Sequence, residues 1–444
     1  MKTFSIVSLG CPRNLVDSEV MAGSLRKSGF RMAGAEKDVE VCVVNTCAFI
    51  GSAREESVDA IVEAAGRKKE GKIKHLVIAG CLPQFYKNKL LKTLPEVDLI
   101  IGTSDFPRIA GLISALKKGA ARSAVSNHLD YLYNEDSPRF SFTPRHYKYV
   151  KISEGCSNFC SYCVISRLRG PFRSRTIQSV LGEVRKLSKG GAVKEIELIG
   201  QDTTLFGIDQ YGKSALQYLL ADICGLTGSP RWVRLLYTHP AHYTDELIAT
   251  IAGEEKVCKY LDLPVQHISD TILRKMNRRT AKRDIVELIA RVRKKIPALT
   301  LRTSVIVGFP GESEKDFKEL LDFVRRTRFE RLGAFIYSRE ESTKAHGFEG
   351  QVPESVKKER FDEVMKLQQR ISGEINKSFL GKIVEVLIDE KTPGETGSCI
   401  GRTQGDAPEI DGVVYVAGQG VKVGEFRKVK ITDTLEYDLA GEAV

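Results

Sequence analysis

The chain has 444 residues, 42% of them apolar and 28% charged, a composition that is typical of globular domains and excludes a fibrous or largely disordered protein. Such a length predicts about three domains. Ten cysteines in so long a chain, several in metal-type spacing, favour a reducing compartment over a disulfide framework. No apolar run reaches the length of a membrane span or a signal core, so we expect a cytoplasmic protein.

The net charge of +11 is unevenly distributed along the chain. Residues 1–128 contain 19 lysines and arginines against 13 acidic residues, and residues 129–375 contain 41 against 32. Residues 376–444 contain 8 against 12. The first two regions are therefore basic and favour an anionic partner, whereas the tail is acidic.

Three apolar runs in residues 1–128 each end in a cysteine: TFSIVSLGC at Cys11, VCVVNTC at Cys47 and HLVIAGC at Cys81. A helix-like stretch follows each run, and this alternation predicts a parallel α/β domain whose loops meet at the carboxyl ends of the strands. We therefore expect the three thiols to converge on one edge as ligands of a metal cluster. Three buried cysteines are the alternative, since cysteine is common in cores. The cysteines that do not recur at the end of such a run are Cys42, Cys224, Cys258 and Cys399.

The helix-like stretch after Cys47 carries a start signal and an apolar pattern. Ser52 and Glu55 have the spacing of a capping box, which predicts a helix start there. Val58, Ile61 and Val62 form the predicted apolar face of that helix.

A short loop in KISEGCSNFCSYCVISRLR places Cys156, Cys160 and Cys163 in CxxxCxxC spacing. Three thiols are one fewer than the four ligands of structural zinc or of an ordinary 4Fe–4S cluster. A cluster held here would keep one iron free for a ligand that is not protein. A zinc loop completed by a distant histidine, or three buried structural cysteines, are the alternatives.

Residues 129–147 carry two prolines and no sustained period, which predicts a linker. Six β-like runs follow, with helical segments between most of them, and this order predicts an open, partial (β/α)6 barrel over residues 148–375. The runs are 148–152, 195–199, 232–236, 260–265, 300–307 and 331–336.

In barrels of this kind, the chemistry lies in the loops at the carboxyl ends of the strands. Polar or glycine residues follow the runs at these positions, and we expect them to line a pocket with the cysteine loop: Gln201, Asp202, His239, Gln266, His267, Gly308 and Gly311. The two glycines would let the backbone approach a ligand closely. Four arginines come directly after the cysteine loop, where they would suit thiolates or an acidic substrate, although a solvated basic loop explains some of them equally well: Arg167, Arg169, Arg173 and Arg175.

The tail, residues 376–444, alternates apolar and polar residues and is rich in glycine turns, which predicts a small β-barrel. Its acidic balance does not suit binding of RNA phosphates by bulk charge. The segment DAPEIDG places Asp406, Glu409 and Asp411 within seven residues, which suits a basic protein surface. A solvated turn is the alternative.

Together these motifs resemble one family along nearly the whole chain, the radical S-adenosylmethionine (SAM) methylthiotransferases. The segments that carry the resemblance are SLGCPRNLVDSE, VNTCAFI, AGCLP, EGCSNFCSYC, LRGPFRSR, DLPVQH, VGFPGE and the terminal barrel, which looks like a TRAM domain. SLGCPRN with Pro12, QDTTLFG and DAPEIDG look like the RimO-type branch, which modifies a ribosomal protein.

The resemblance implies an enzyme that inserts a methylthio group at the β-carbon of an aspartate in the twelfth protein of the small ribosomal subunit and consumes two SAM molecules per product. It implies two 4Fe–4S clusters: Cys156, Cys160 and Cys163 would hold the radical SAM cluster, and Cys11, Cys47 and Cys81 the auxiliary cluster. The positions that match SAM contacts of the superfamily are Tyr162, Gln201, Arg302, Ser304 and Gly308. No general acid or base is implied. The implied partners are the ribosomal protein, free or on the ribosome, and an electron donor such as flavodoxin or ferredoxin.

Two other functions compete with this interpretation. The same chemistry on a tRNA adenosine is favoured by the overall positive charge, but the acidic tail opposes it, because tRNA is a polyanion. A non-catalytic iron–sulfur or zinc scaffold that docks on ribosomes would consume no SAM. We expect the tail to bind the ribosomal protein and not tRNA.

Overall fold

A computed structural model describes residues 2–34, 37–116, 123–394 and 397–444. The N-terminal region is a parallel six-stranded sheet in the order β2-β1-β3-β4-β5-β6. Its strands are Thr3–Ser8 (β1), Arg31–Met32 (β2), Val39–Thr46 (β3), Ile73–Gly80 (β4), Leu99–Ile101 (β5) and Ser123–Ala124 (β6). Its helices are Pro12–Lys27 (α1), Gly51–Lys69 (α2), Cys81–Tyr86 (α3), Asn88–Thr93 (α4) and Ile109–Leu116 (α5). The prediction of a parallel α/β region is confirmed.

Helix α2 differs from its prediction at both its start and its face. It begins at Gly51, and no side chain caps it; the Gly51 amide instead donates to the Glu340 carboxylate at 2.9 Å, which lies far along the chain. The capping box of Ser52 and Glu55 was therefore wrong. Ile61 is buried as expected, but Val58 and Val62 are exposed, because the buried face runs through Ser57, Ala64 and Ala65.

The central region contains the six predicted strands as two parallel three-stranded sheets, β11-β10-β7 and β12-β13-β14, and the fold class is confirmed. The strands are Tyr147–Lys151 (β7), Glu195–Ile199 (β10), Trp232–Leu235 (β11), Tyr260–Asp262 (β12), Thr300–Val307 (β13) and Arg331–Ile336 (β14), with a small ribbon of Ser153–Glu154 (β8) and Arg173–Ser174 (β9). Backbone hydrogen bonds, such as that from Cys258 to Val233 at 3.0 Å, join the two sheets into one open barrel.

Helices cover the outer face of this barrel and bury a large apolar core against the strands. They are Ile165–Arg169 (α6), Ile177–Ser188 (α7), Ile208–Tyr211 (α8), Leu216–Gly225 (α9), Asp245–Gly253 (α10), Asp270–Lys275 (α11), Lys282–Lys295 (α12), Glu314–Thr327 (α13) and Glu354–Lys377 (α14). The carboxyl ends of the strands therefore remain available for a site.

Residues 125–146, which the structure describes throughout, form neither helix nor strand, yet they are firmly held. Arg139 donates to Glu19 of α1 at 2.6 Å, to Glu183 of α7 at 2.7 Å and to the Tyr149 carbonyl at 2.7 Å. These buried, charge-assisted bonds fasten the N-terminal region to the barrel.

The tail is a closed barrel in the order β15-β16-β17-β19-β18, as predicted. Its strands are Ile383–Lys391 (β15), Ser398–Arg402 (β16), Val414–Ala417 (β17), Phe426–Thr434 (β18) and Leu439–Ala443 (β19). Its DAPEIDG segment meets a basic surface, and that surface belongs to the same chain.

The DAPEIDG segment packs on the amino ends of the central strands. Asp406 pairs with Arg331 at 2.6 Å, Asp411 accepts from the Tyr260 hydroxyl at 2.7 Å, and Glu409 accepts from the Tyr147 hydroxyl at 2.9 Å. Tyr147, Tyr260 and Arg331 are the first residues of their strands. The tail barrel thus closes the end of the central barrel opposite its mouth. Among the described residues, no helix has the length and apolar character to cross a membrane.

Candidate functional site

The three early cysteines lie together at the carboxyl edge of the N-terminal sheet. Cys11 precedes α1, Cys47 directly follows β3 and Cys81 is the first residue of α3, and the three preceding strands are neighbours. Burial, together with the neighbouring thiols of Cys81 and Cys11, raises the pKa of Cys47 to about 11. Gly10 lies against this group at φ +86°, and a Cβ there would be 2.7 Å from the Cys47 Cβ.

Two arginines supply positive charge to this thiol group. The Arg13 Nε donates to the Cys11 Sγ at 3.4 Å, and the Arg169 Nη2 donates to the Cys81 Sγ at 3.6 Å. Burial disfavours the Cys11 thiolate, but Arg13 and Arg169 outweigh it and lower the pKa of that thiol. Such cations suit sulfur ligands that carry negative charge.

The second group of thiols lies in the loop after β8. Burial, with a smaller contribution from Cys160, raises the pKa of Cys156 to about 11 and that of Cys163 to about 12. The loop is held from outside by the turn after α11, because the Ser161 amide donates to the Met276 carbonyl at 3.0 Å and the Asn277 Nδ2 to the Phe159 carbonyl at 2.9 Å. The three thiols of this loop therefore also face one another.

Arg13 lies between the two thiol groups. Besides its bond to Cys11, it donates to the Gly200 carbonyl, just past β10, at 2.7 Å, and its guanidinium lies 4.2 Å from the ring centroid of Tyr237, just past β11. The same guanidinium stabilises the thiolate of Cys163 electrostatically. Arg13 therefore links the first group to the carboxyl ends of β10 and β11 and lies near enough to the second group to act on one of its thiols.

A buried ionic cluster connects these groups. Lys151 binds Asp17 at 2.6 Å and Glu154 at 2.7 Å, while Arg169 binds Asp17 at 2.5 Å. Burial disfavours the ionised Glu154 carboxyl, but Lys151 and Arg169 outweigh it and lower its pKa to about 2. Glu154 in turn accepts from the Gln201 Nε2 at 2.6 Å.

The positions predicted to contact SAM differ in their surroundings. Gln201 is held by Glu154, and its buried Oε1 has no hydrogen-bond partner among the described residues, so it is available to a ligand. Tyr162 is part of the cysteine loop, and the centroid of its ring lies 6.5 Å from the centroid of the Phe309 ring. The Ser304 carbonyl accepts from the Gln266 amide at 2.9 Å.

Arg302 is already engaged by carboxylates. It pairs with Asp262 at 2.8 Å and with Asp411 of the tail at 3.3 Å. A contact between Arg302 and SAM stays a prediction, and in this structure its guanidinium neutralises two buried acids.

The two glycines of VGFPGE allow a close approach, but by the chain itself. Gly308 has φ +73°, and a Cβ there would be 2.2 Å from the Lys357 Cγ; at Gly311 it would be 2.0 Å from the Lys275 Nζ. These glycines are therefore required by packing against lysine side chains, and close approach of a ligand to their backbone stays a prediction. A backbone contact from Gly308 to SAM stays a prediction.

Asp202 anchors the cysteine loop, a role that its sequence position did not indicate. Its Oδ2 accepts from the Asn158 Nδ2 at 2.7 Å and pairs with the His242 Nδ1 at 3.0 Å. Its side chain and those of His239 and His242 offer donor atoms that all lie within 4.8 Å of one another. Asp202 was predicted to lie in the pocket, whereas Arg13, Glu154 and Asp17 were missed, although the "PRN" after Cys11 was a usable signal for Arg13.

The open barrel and the three-thiol loop at its mouth define a radical SAM enzyme, and the other three-thiol group has the residue types that a further cluster would need. Comparison with known families agrees in all three regions. Residues 3–102 match the family described as "Uncharacterized protein family UPF0004", residues 150–324 the radical SAM superfamily and residues 380–444 the TRAM domain.

Relatives of nearly the same length define the family. The chain is 47% identical to the ribosomal protein uS12 methylthiotransferase RimO of Trichlorobacter lovleyi, over 99% of this chain and 98% of that protein. It is 45% identical to the RimO of Clostridioides difficile, over 100% and 99%. The chain belongs to the RimO-type family of radical SAM methylthiotransferases.

Solved structures support the fold. The radical SAM methyltransferase TsrM from Kitasatospora setae superposes with a TM-score of 0.59 at 13% identity, over 89% of this chain and 80% of that one. OxsB, a cobalamin-dependent radical SAM enzyme, superposes with a TM-score of 0.54 at 13% identity, over 82% and 56%.

The donor atoms fit the cofactors of this family, two 4Fe–4S clusters and SAM, and the cofactor prediction is confirmed. Each thiol group offers three sulfur ligands and leaves one corner of a cluster without a protein ligand. Arg13 and Arg169 offset negative charge at the first group, and the unpartnered Gln201 Oε1 offers a polar contact to a ligand beside the second.

Proposed function

We propose that this chain transfers a methylthio group to the β-carbon of an aspartate in ribosomal protein uS12. The observation that carries the proposal is that one residue, Arg13, bonds Cys11 of the first three-thiol group and acts electrostatically on Cys163 of the second, although the two groups are far apart in sequence. Near-full-length identity of 47% to a uS12 methylthiotransferase supports this choice of substrate.

The roles of the cysteines follow from their positions. Cys156, Cys160 and Cys163 hold the cluster that binds SAM, and Cys11, Cys47 and Cys81 hold the auxiliary cluster. When bound, the two clusters and SAM supply the hydrogen-abstracting radical and the methylthio group. Tyr162, Gln201, Arg302, Ser304 and the Gly308 backbone contact SAM, and Arg302 also joins β13 to Asp262 and to Asp411 of the tail.

The protein itself aligns and shields the two sites. Arg13 bridges the Cys11 thiol and the Gly200 carbonyl, so it fixes the N-terminal region at the mouth of the barrel. Arg169 bonds Cys81 from the helix that directly follows the second thiol loop. The distance between the two sites is therefore set by short, buried contacts rather than by a flexible connection.

Substitution of one cysteine in each group tests these roles. The Cys156→Ala variant, reconstituted without oxygen with iron, sulfide, dithionite and SAM, is expected to form no 5'-deoxyadenosine. Cys47→Ala should retain some SAM cleavage but form no methylthio product. Cys42→Ala, on the strand that directly precedes Cys47 but outside both groups, is the matched control; it should both cleave SAM and form the methylthio product.

Product formation is followed by mass spectrometry of a uS12 peptide, and iron content is measured for each variant. A methylthio product from Cys47→Ala would refute the auxiliary assignment. Absence of 5'-deoxyadenosine from the unmodified protein would remove the radical mechanism altogether.

The substrate is tested in cells. Mass spectrometry of uS12 and of tRNA, from strains with and without this enzyme, should show a methylthio group that depends on the enzyme in uS12 only. Dependence of a tRNA modification instead would establish the competing function.

The remaining assignments concern partners and organisation. A flavodoxin or ferredoxin supplies electrons, and the enzyme acts in the cytoplasm.

Residues 1–128 form the auxiliary-cluster domain, 129–147 the linker, 148–375 the radical SAM domain and 376–444 the TRAM domain. Copurification and limited proteolysis test these assignments directly.

A further inference from the structure

The outer surface of the second thiol loop carries an exposed aromatic ring. Phe159 lies between Cys156 and Cys160, and 57% of it is exposed to solvent. Its backbone has φ +52°, an unfavourable conformation for a large side chain, and the Asn277 Nδ2 holds it there through the Phe159 carbonyl. The chain thus maintains a strained residue whose ring packs against little of its own fold.

Unneutralised cations lie on the turn that holds the loop of this ring. Arg274, Lys275 and Arg279 are exposed on the turn that holds the thiol loop, and within the described part of the chain none of them forms an ion pair. The next basic residues along the chain behave differently, since Lys282 pairs with Glu319 and Arg283 with Glu287. We call Phe159, Arg274, Lys275 and Arg279 the loop patch.

The loop patch lies close to the second thiol group. The Ser161 hydroxyl donates to the Lys275 carbonyl at 2.7 Å, and Ser161 is two residues from Cys163. Arg278, in the same turn, directs its Nη1 toward the Cys160 Sγ at 3.9 Å. The turn that carries the patch therefore contacts the thiol loop directly, and electron transfer requires such proximity between a carrier and the group that it reduces.

We propose that the loop patch is the docking surface for an acidic one-electron carrier protein of the flavodoxin or ferredoxin type. This inference rests on the proposed function. In the encounter, the carrier loses one electron and the 4Fe–4S group held by Cys156, Cys160 and Cys163 gains it. The interfaces of such electron-transfer complexes are small and depend on complementary charge. A few exposed cations near one exposed apolar ring suit an interface of this kind.

RNA is the other polyanion that such a patch could attract, through phosphates and stacking of a base on Phe159. The position of the patch favours the carrier. An RNA-binding surface can lie anywhere on the protein, because stacking and phosphate contacts do not involve a redox group. A surface for electron donation must lie close to the ligands of that group.

The test compares two variants that lose the same charge. The first changes the loop patch, Arg274→Gln, Lys275→Gln and Arg279→Gln. The control changes three exposed cations of α14, Lys366→Gln, Arg370→Gln and Lys377→Gln. This helix leads to the tail barrel, where the Asn376 Nδ2 donates to the Leu435 carbonyl at 3.1 Å.

Two measurements are made on the reconstituted enzyme. The first is the rate at which photoreduced flavodoxin reduces the enzyme, followed by stopped-flow absorbance at low and high salt. The second is the dissociation constant for oxidised flavodoxin, which requires no turnover. We expect the loop-patch variant to lose roughly tenfold or more in rate at low salt, with the difference shrinking at high salt, because steering by charge is screened.

Dithionite separates this inference from the proposed function. It is a small reductant that needs no docking surface, so the loop-patch variant should form product with dithionite as the unmodified enzyme does. Equal flavodoxin rates and affinities for both variants would overturn the proposal. So would selective loss of binding to small ribosomal subunits with flavodoxin reduction unchanged, which would assign the patch to RNA.

Discussion

Replacing Arg169 by methionine should destabilise the protein strongly, because this buried guanidinium neutralises acids that have one other cation. Arg169 is 3% exposed and bonds Asp17 at 2.5 Å and Glu154 at 3.4 Å, and Lys151 is the remaining partner of both carboxylates. Removing one partner of a buried ionic group costs about 3–5 kcal/mol, since a charge is left uncompensated. Methionine fills a similar volume, so the loss of charge dominates.

The effect should depend on pH in a definite direction. Glu154 has a pKa lowered from 4.5 to about 2, so its ionised form stabilises the fold above pH 4.5, and that contribution is lost as the pH falls toward 2. Without Arg169 the folded-state pKa returns toward 4.5. The difference in stability between Arg169→Met and the unmodified protein should therefore be full at pH 7 and shrink below pH 4.5.

The assay is urea unfolding of the cluster-free, reduced protein, with circular dichroism following the first transition. Arg167→Met is the matched control, since Arg167 lies on the same short helix but is exposed, and it should change stability by less than about 0.5 kcal/mol. A loss below about 1 kcal/mol for Arg169→Met at pH 7 would contradict the argued role of a buried charge.

Three further predictions follow from single contacts. Asp406→Asn with Asp411→Asn removes the ionic contacts of the tail with Arg331 and Arg302, so limited proteolysis should release the tail sooner than from unmodified protein. Gly10→Ala should lower iron content while 5'-deoxyadenosine formation persists, because the added Cβ would lie 2.7 Å from the Cys47 Cβ. Asn158→Ala should slow 5'-deoxyadenosine formation and leave the auxiliary iron intact, since Asn158 holds the second loop to Asp202 at 2.7 Å.

Much of the architecture was readable from the sequence because the strands are buried on both faces. Runs such as HLVIAG and VCVVNT are continuous apolar stretches, and their alternation with helices specifies a parallel sheet. Once the sheet is parallel, cysteines that follow neighbouring strands must share an edge. The convergence of Cys11, Cys47 and Cys81 was therefore predictable, whereas their ligand role stays a prediction.

The errors have a common cause, which is that contacts distant in sequence replaced local ones. The start of α2 is satisfied by Glu340 instead of Ser52, and the same carboxylate pairs with Arg54. Ser57 is buried in place of an apolar residue because its hydroxyl accepts from the Cys47 amide at 3.1 Å and so positions a thiol. No local pattern indicates which distant side chain will take these roles.

The acidic tail segment shows how far a charge argument extends. The charges of Asp406, Glu409 and Asp411 suit the basic surface of a protein partner, but in the structure they contact Arg331, Tyr147 and Arg302 of the chain's own barrel. Charge complementarity identifies the kind of surface but does not distinguish a surface of the same chain from that of a partner. Binding of uS12 by the tail stays a prediction, and these three carboxylates are already engaged.

The tail closes one end of the central barrel, and the two thiol groups lie at the other. This separation explains why the acidic balance of the tail and the basic balance of the first two regions are compatible within one enzyme. The acids of DAPEIDG bind arginine and tyrosine side chains at the amino ends of the strands. Arg13 and Arg169 instead donate hydrogen bonds to thiols at the carboxyl ends. The net charge of the tail is therefore poor evidence about the partner, and the exposed cations beside the second thiol loop are better evidence, because no residue of the described chain neutralises them.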